Sequence, residues 1–214
     1  VSAGLRDRLA AAVAIPVITA GAVEDTVELC RALAAGGLDM LEITLRTPTA
    51  LAALEAVARA LPGAHVGVGT ALSAEDLQRA ADAGARFAVS PGFDPGMVEA
   101  ARRAPLDWLP GAVTASEIMA ARNAGFATLK FFPAQQSGGA AALKAFAPVF
   151  ADTVFCPTGG LDQKTAADYL ACPNVVAVGG TWMMPRDAIA ARDWRRIEEL
   201  ARAARALRAA SPTR

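Results

Sequence analysis

Leu129-Lys130-Phe131-Phe132-Pro133 sets a single lysine inside an apolar run that Pro133 ends. Taken from residue 127 to 131, the run reads as a short buried strand. Helical stretches flank it, 116–124 before and 139–146 after, the second stopping ahead of Pro148. The same alternation continues outward. Strands are expected at 15–19, 38–45, 65–69, 86–90, 107–110, 153–157 and 175–179. Helices are expected at 23–35, 49–61, 73–83, 95–103, 163–170 and 187–209, and a lead-in helix at 2–13 carries Leu5, Leu9 and Val13 on one face. Gly36-Gly37 stop one helix, Pro62-Gly63 another, and Ser73 with Asp76 three residues on reads as an N-cap. In the last helix Trp194, Ile197, Leu200, Ala204 and Leu207 form the apolar stripe, and its arginines form a solvated face.

Short apolar strands that alternate with helices are the mark of a parallel sheet covered by helices. Eight such units in roughly 200 residues have the size of a small TIM barrel. The expected fold is therefore α/β, a (β/α)8 TIM barrel with an extra N-terminal helix, in one domain over residues 1–214. A doubly wound open sheet is the runner-up. It lacks its dinucleotide fingerprint, because Gly67-Val68-Gly69-Thr70 has no third glycine and no acidic residue follows the second strand.

Of 214 residues, 54% are hydrophobic, and 21 basic side chains balance 21 acidic ones. Zero net charge argues against nucleic-acid or anionic-membrane partners. Cys30, Cys156 and Cys172 are scattered, without a CxxC, and read as reduced thiols in a cytosolic protein. The single histidine, His65, cannot build a histidine-rich metal site. No apolar targeting segment is visible, and the stretch from Leu9 to Val23 is too short to span a bilayer, so the cytoplasm is the expected location.

Barrel enzymes place their chemistry at the C-terminal ends of the strands. Glu42, Thr44 and Arg46 follow the apolar part of strand two; Thr70 follows strand three and Ser90-Pro91-Gly92 strand four. Pro110-Gly111, Lys130, Thr158-Gly159-Gly160 and Gly180-Thr181 follow strands five to eight. Glu42, Thr44 and Arg46 share one parity and would face the same mouth. An ion pair of Glu42 with Arg46 is the plainer account of those two. Lys130 can act as a Schiff-base nucleophile prepared by desolvation, or it can snorkel with its head in water. The glycine turns after strands seven and eight suit a phosphate group, with the hydroxyls of Thr158 and Thr181 adding donors.

Together these segments resemble the class I aldolases that cleave 2-keto-3-deoxy-6-phosphogluconate (KDPG) and often act on 4-hydroxy-2-oxoglutarate. The resemblance runs in order through Leu41-Glu42-Ile43-Thr44-Leu45-Arg46-Thr47, Gly67-Val68-Gly69-Thr70, Ser90-Pro91-Gly92 and Leu109-Pro110-Gly111. It continues through Lys130-Phe131-Phe132-Pro133-Ala134, Pro157-Thr158-Gly159-Gly160 and Val178-Gly179-Gly180-Thr181-Trp182. It implies that Lys130 forms the imine and that Glu42 is the general acid/base. It implies further that Arg46 and Thr70 hold the pyruvyl carboxylate, and that Pro91 and Phe132 wall the pocket. Gly159, Gly160 and Thr181 would bind phosphate, and Thr158 the substrate hydroxyls. The implied substrate is a phosphorylated keto acid, cleaved to pyruvate and D-glyceraldehyde 3-phosphate. No cofactor is implied beyond the covalent lysine imine, and the implied assembly is a homotrimer. Thr181 stands where serine is usual and Gln135 where glutamate is expected. Thr19-Ala20-Gly21 lacks the basic residue that several members carry there. The alternatives are an aldolase for the 6-phosphogalactonate epimer, a phosphosugar isomerase, or a sugar-phosphate binding protein.

Overall fold

The computed structural model describes residues 3–208. Helix α1 (Ala3–Ala12) leads into β1 (Ala14–Thr19). There follow α2 (Val23–Ala35), β2 (Met40–Thr44), α3 (Ala50–Ala60), β3 (His65–Gly69), α4 (Ala74–Asp82) and β4 (Phe87–Val89). A 3-10 turn runs into α5 (Val98–Arg103), then β5 (Asp107–Leu109), α6 (Ala115–Asn123), β6 (Thr128–Phe131) and α7 (Gly139–Phe146). The chain continues through β7 (Val154–Pro157), α8 (Gln163–Leu170), β8 (Val178–Gly180), α9 (Arg186–Ala190) and α10 (Trp194–Arg205).

Local chemistry sets the helix ends. Ser73 accepts a bond from the Asp76 N–H at the start of α4, as expected. Thr114 and Asp162 form capping boxes with Glu117 and Thr165, which the sequence reading passed over. The expected helix 187–209 is instead α9 and α10, because Arg192 adopts φ 53° and Asp193 caps a new helix by accepting the Arg196 N–H. Residue 209 of that expectation, and residue 2 of the lead-in helix, lie outside the described residues. Val13, at φ 63°, ends α1 at Ala12.

The strands pair in parallel throughout. β5-β4-β3-β2-β1-β8 form one sheet, and β6-β7 form a second pair. Isolated bridges link the two, Gly111 to Lys130 on one side and Phe155 to Val175 and Thr158 to Gly179 on the other. The last expected strand, 175–179, is accordingly divided. The Val176 N–H donates to the Phe155 carbonyl of β7 and the Phe155 N–H to the Asn174 carbonyl, bridging Val175 to Phe155, whereas Val178–Gly180 pair with Ala14–Pro16 of β1, so one apolar run serves two neighbours.

Strand alternation sorts the side chains into two cores. Leu41, Ile43, Val66, Val68, Leu129, Phe131 and Phe155 face the helices. Ile15, Met40, Phe87, Val89, Leu109 and Cys156 face the opposite way and meet Leu5 and Leu9 of α1. That inner cluster is apolar, and α1 seals it at the end where β1 and β2 begin, beside Ile15 and Met40. Among the described residues no helix is long and apolar enough to cross a membrane.

His65 starts β3 in this sealed end. It is buried, stacked on Phe87 with centroids 5.4 Å apart, and neither ring nitrogen has a partner among the described residues. Burial first, then the charges of Arg8 and Arg86, push its pKa from 6.5 down to about 4. The unfolded chain therefore takes up the proton first. Stability is full above about pH 7 and falls as pH drops through 6.5 toward 4, with a loss of about 1 kcal/mol by pH 5.5. Urea midpoints measured between pH 7.5 and 5.5 should show this slope in the wild type and lose it in His65→Leu. A slope that survives the substitution would assign the proton to another group.

Candidate active site

Three features of the sheet meet at the C-terminal ends of β2 and β6. The inward parity of β2 runs Met40, Glu42, Thr44, so Glu42 sits one layer above the apolar floor. The inward parity of β6 brings Lys130 to the same layer. Lys130 Nζ donates to Glu42 Oε1 at 3.2 Å, and both side chains are only 5% exposed. Glu42 thus pairs with Lys130 and not with Arg46, which removes the plainer account of strand two. The lysine head is likewise buried, so it does not snorkel to water. Withdrawing two charges from water is unfavourable by several kcal/mol per ion, roughly, before their attraction offsets it. The Phe132 ring adds a face for the ammonium, its centroid 5.2 Å from Nζ.

Glycine makes room for the carboxylate. The inward positions of β3 are His65, Gly67 and Gly69, and a Cβ built at Gly69 would overlap the Glu42 carboxylate. Thr44 is buried with its hydroxyl spent on the Ile18 carbonyl at 3.0 Å, so it offers no free donor to the mouth. Arg46 donates through Nε to Thr70 Oγ1 at 3.1 Å. Thr70 adopts φ 60°, a strained conformation for a β-branched residue that is found most often where function fixes the backbone.

A cavity of about 140 Å³ lies over this pair, lined by Val17, Arg46, Lys130, Phe132, Thr158, Gly159, Gly160, Leu161, Gly180 and Thr181. Gly159 and Gly160, at φ 102° and 78°, need the left-handed region that glycine enters freely. Of the residues singled out in the sequence, this cavity gathers Lys130, Phe132, Arg46, Thr158, Gly159, Gly160 and Thr181. Glu42 reaches it through Lys130, and Thr70 through Arg46. Pro91 lines a neighbouring concavity with Leu72, Phe93 and Met97, and its carbonyl packs so close to Gly111, which bridges to Lys130, that a Cβ there would collide with it. Gln135 accepts a bond from the Tyr169 hydroxyl at 3.1 Å.

The sequence reading took Cys156 as a reduced thiol and did not place it in this layer. It pairs in register with Lys130, and burial, then the Glu42 charge, pushes its thiol up to about 12. A thiol so hard to ionise stays protonated at neutral pH. The inward parity of β7 was the signal that could have placed it. Val17 and Leu161 also went unremarked. They are ordinary apolar residues, and only the cavity distinguishes them.

The chain is similar to known proteins. Residues 5–200 match the aldolase family described as KDPG and KHG aldolase. The 2-dehydro-3-deoxy-phosphogluconate aldolase of Pseudomonas aeruginosa is 46% identical over 190 residues, spanning 89% of this chain and 86% of the relative. The KHG/KDPG aldolase of Escherichia coli (strain K12) is 43% identical over 190 residues, 89% of either chain. Among solved structures, the KDPG aldolase of Legionella pneumophila with pyruvate captured at low pH as a covalent carbinolamine intermediate superimposes with a TM-score of 0.90. It shares 41% identity and covers 93% of this chain and 97% of its own.

The overlap at Gly69 can be tested without substrate. Gly69→Ala must drive the carboxylate off Lys130 or shift a strand, and should lower stability by about 1–3 kcal/mol. Gly63→Ala, at a position with nothing within 4 Å, should leave the urea midpoint unchanged or slightly raised. Equal midpoints for the two variants would mean that β3 does not confine Glu42.

Proposed function

The chain belongs to the KDPG and KHG aldolase family, and we propose that it is a Schiff-base lyase in which Lys130 and Glu42 do the chemistry. It cleaves 2-dehydro-3-deoxy-6-phosphogluconate to pyruvate and D-glyceraldehyde 3-phosphate. The observation that carries this mechanism is the buried Lys130–Glu42 pair at 3.2 Å in a cavity that also holds Arg46 and the glycine turns.

A proton passed from Nζ to the Glu42 carboxylate leaves a neutral amine, and that amine attacks the C2 ketone. The carbinolamine takes a proton on its hydroxyl, from the Glu42 carboxyl, and loses water to give a protonated imine. Glu42, again a carboxylate, removes the C4 hydroxyl proton. The C3–C4 bond breaks, the aldehyde departs, and the electron pair passes through C3 and C2 to the imine nitrogen as an enamine. Protonation at C3 regenerates the imine. Water then adds to C2, pyruvate leaves and the amine is free. The water lost on imine formation is balanced by the water consumed at the end, and each proton that Glu42 gives it takes back. The electron sink is the imine itself, so the chemistry calls for no cofactor.

Arg46, steadied by Thr70, holds the carboxylate next to C2, where a guanidinium fork suits two oxygens. Phe132 supplies an apolar wall. Pro91 joins that wall from the loop after β4, its carbonyl packed on Gly111 beside Lys130. Thr158 meets the substrate hydroxyls, and Gly159, Gly160 and Thr181 offer N–H groups and a hydroxyl to phosphate. The eight strands close as a (β/α)8 TIM barrel, with Gly111, Lys130 and Val175 bridging the two hydrogen-bonded sets, α1 as the extra helix, and one domain throughout. A cytoplasmic homotrimer, taking a small phosphorylated keto acid and neither nucleic acid nor membrane, completes the proposal.

Borohydride reduction with pyruvate, followed by peptide mapping, should leave a pyruvyl adduct on Lys130. An adduct on another lysine, or none, would sink the mechanism. Lys130→Ala should abolish turnover. Glu42→Gln should still trap some imine yet slow cleavage by roughly 10²-fold or more. Single-turnover kinetics unchanged by Glu42→Gln would remove the carboxylate from proton transfer.

A further inference from the structure

A second, larger concavity of about 660 Å³ adjoins the reaction cavity and shares Val17, Arg46 and Thr181 with it. Its far wall carries Trp182, Met184 and Arg186 from the segment after β8. Arg186 stands apart from most arginines around it. Arg192, Arg195, Arg196 and Arg202 each hold a carboxylate. The Arg186 guanidinium has no ion pair and no side-chain hydrogen bond among the described residues. Its neighbour Asp187 is taken by Arg196, and Asp25 by Arg192. Trp182 adds a second unspent donor, since its indole Nε1 is buried without a partner among the described residues.

The charges of the proposed substrate explain what such a cation is for. The keto acid is anionic at both ends. Lys130 is consumed as the imine, and Arg46 with Thr70 takes the carboxylate. The phosphate is then left with backbone N–H groups and the Thr181 hydroxyl, none of which carries a charge, although a phosphate dianion is best matched by a guanidinium. The loop after β1 adds no charge either, since it reads Ala20-Gly21-Ala22 beyond Thr19, which lines this same concavity. We infer that Arg186 is the specificity-determining residue that recognises the substrate's phosphate, reaching it across the concavity that meets the reaction cavity at Thr181. This rests on the aldolase function proposed above.

The test compares two aldehydes condensed with pyruvate, D-glyceraldehyde 3-phosphate and D-glyceraldehyde, by wild type, Arg186→Ala and Arg186→Lys. Arg186 is exposed, so none of these substitutions opens the core. Arg186→Ala should raise KM for the phosphorylated aldehyde roughly 10-fold or more, the effect of losing one charge-assisted hydrogen bond, with kcat little changed. The unphosphorylated aldehyde should respond less than about twofold, and Arg186→Lys should recover part of the loss, since it keeps the charge without the planar fork. Inhibition by inorganic phosphate should weaken in parallel. Equal losses on both aldehydes, or no loss on either, would overturn the assignment. The pyruvyl adduct trapped on Lys130 separates the two levels. Its absence from the wild type would refute the aldolase function itself. Its presence there but absence from Arg186→Ala would place Arg186 at the lysine end and overturn its role at the phosphate.

Discussion

A cation and a carboxylate held 3.2 Å apart, each side chain only 5% exposed, set the terms for the rest of this molecule. They come from positions 88 residues apart in the chain. Neither would remain charged and buried alone, because an unpaired ion in such surroundings is unfavourable by several kcal/mol, roughly. The pair therefore demands a scaffold that brings β2 and β6 to one layer and keeps water out below it. The apolar floor of Ile15, Met40, Phe87 and Leu109, closed by Leu5 and Leu9 of α1, meets the second demand. A helix ahead of the first strand thus supports the buried pair from the opposite end of the strands.

Space around the pair is made by omission. Gly69 lacks the carbon that would strike Glu42, and Gly179 lacks the one that would strike Thr158. Gly159 and Gly160, which line the cavity, take backbone angles that side chains avoid. Thr70 bears a comparable strain without being glycine, and its hydroxyl is the partner of Arg46. Gly69, Gly159, Gly160 and the strained threonine lie at or just past strand ends, where a backbone can leave the sheet without losing a ladder bond.

The proposed site was legible in the chain to a different degree at each residue. Lys130 was conspicuous because ammonium groups are rare between Leu129 and Phe131, and burial is what makes such a group chemically informative. Glu42 was visible from parity alone. Its partner was not, since the local sequence offered Arg46 four residues on and gave no measure of the distance to β6. Thr44 shared that parity, but its hydroxyl is spent on a neighbouring strand, which spacing cannot reveal. Pro91 and Phe132 were grouped as one wall, and the described backbone puts them in separate concavities. The break between α9 and α10 turned on Arg192 entering the left-handed region, for which an arginine carries no signal.

By itself the sequence determined the α/β alternation, the helix-facing and inward-facing parities of each strand, and the chemistry at the strand ends. Those features are local, set by periodicities of 3.6 and 2 and by residue type. Only the tertiary structure decided which polar groups meet. The pairing of Glu42 with Lys130, the closeness of Cys156, the split of Val175–Val178 between β7 and β1, and the wall that Arg186 shares with Thr181 all join distant segments. Such contacts follow from sheet register and from the side on which each crossover returns, and no local stretch of chain encodes them.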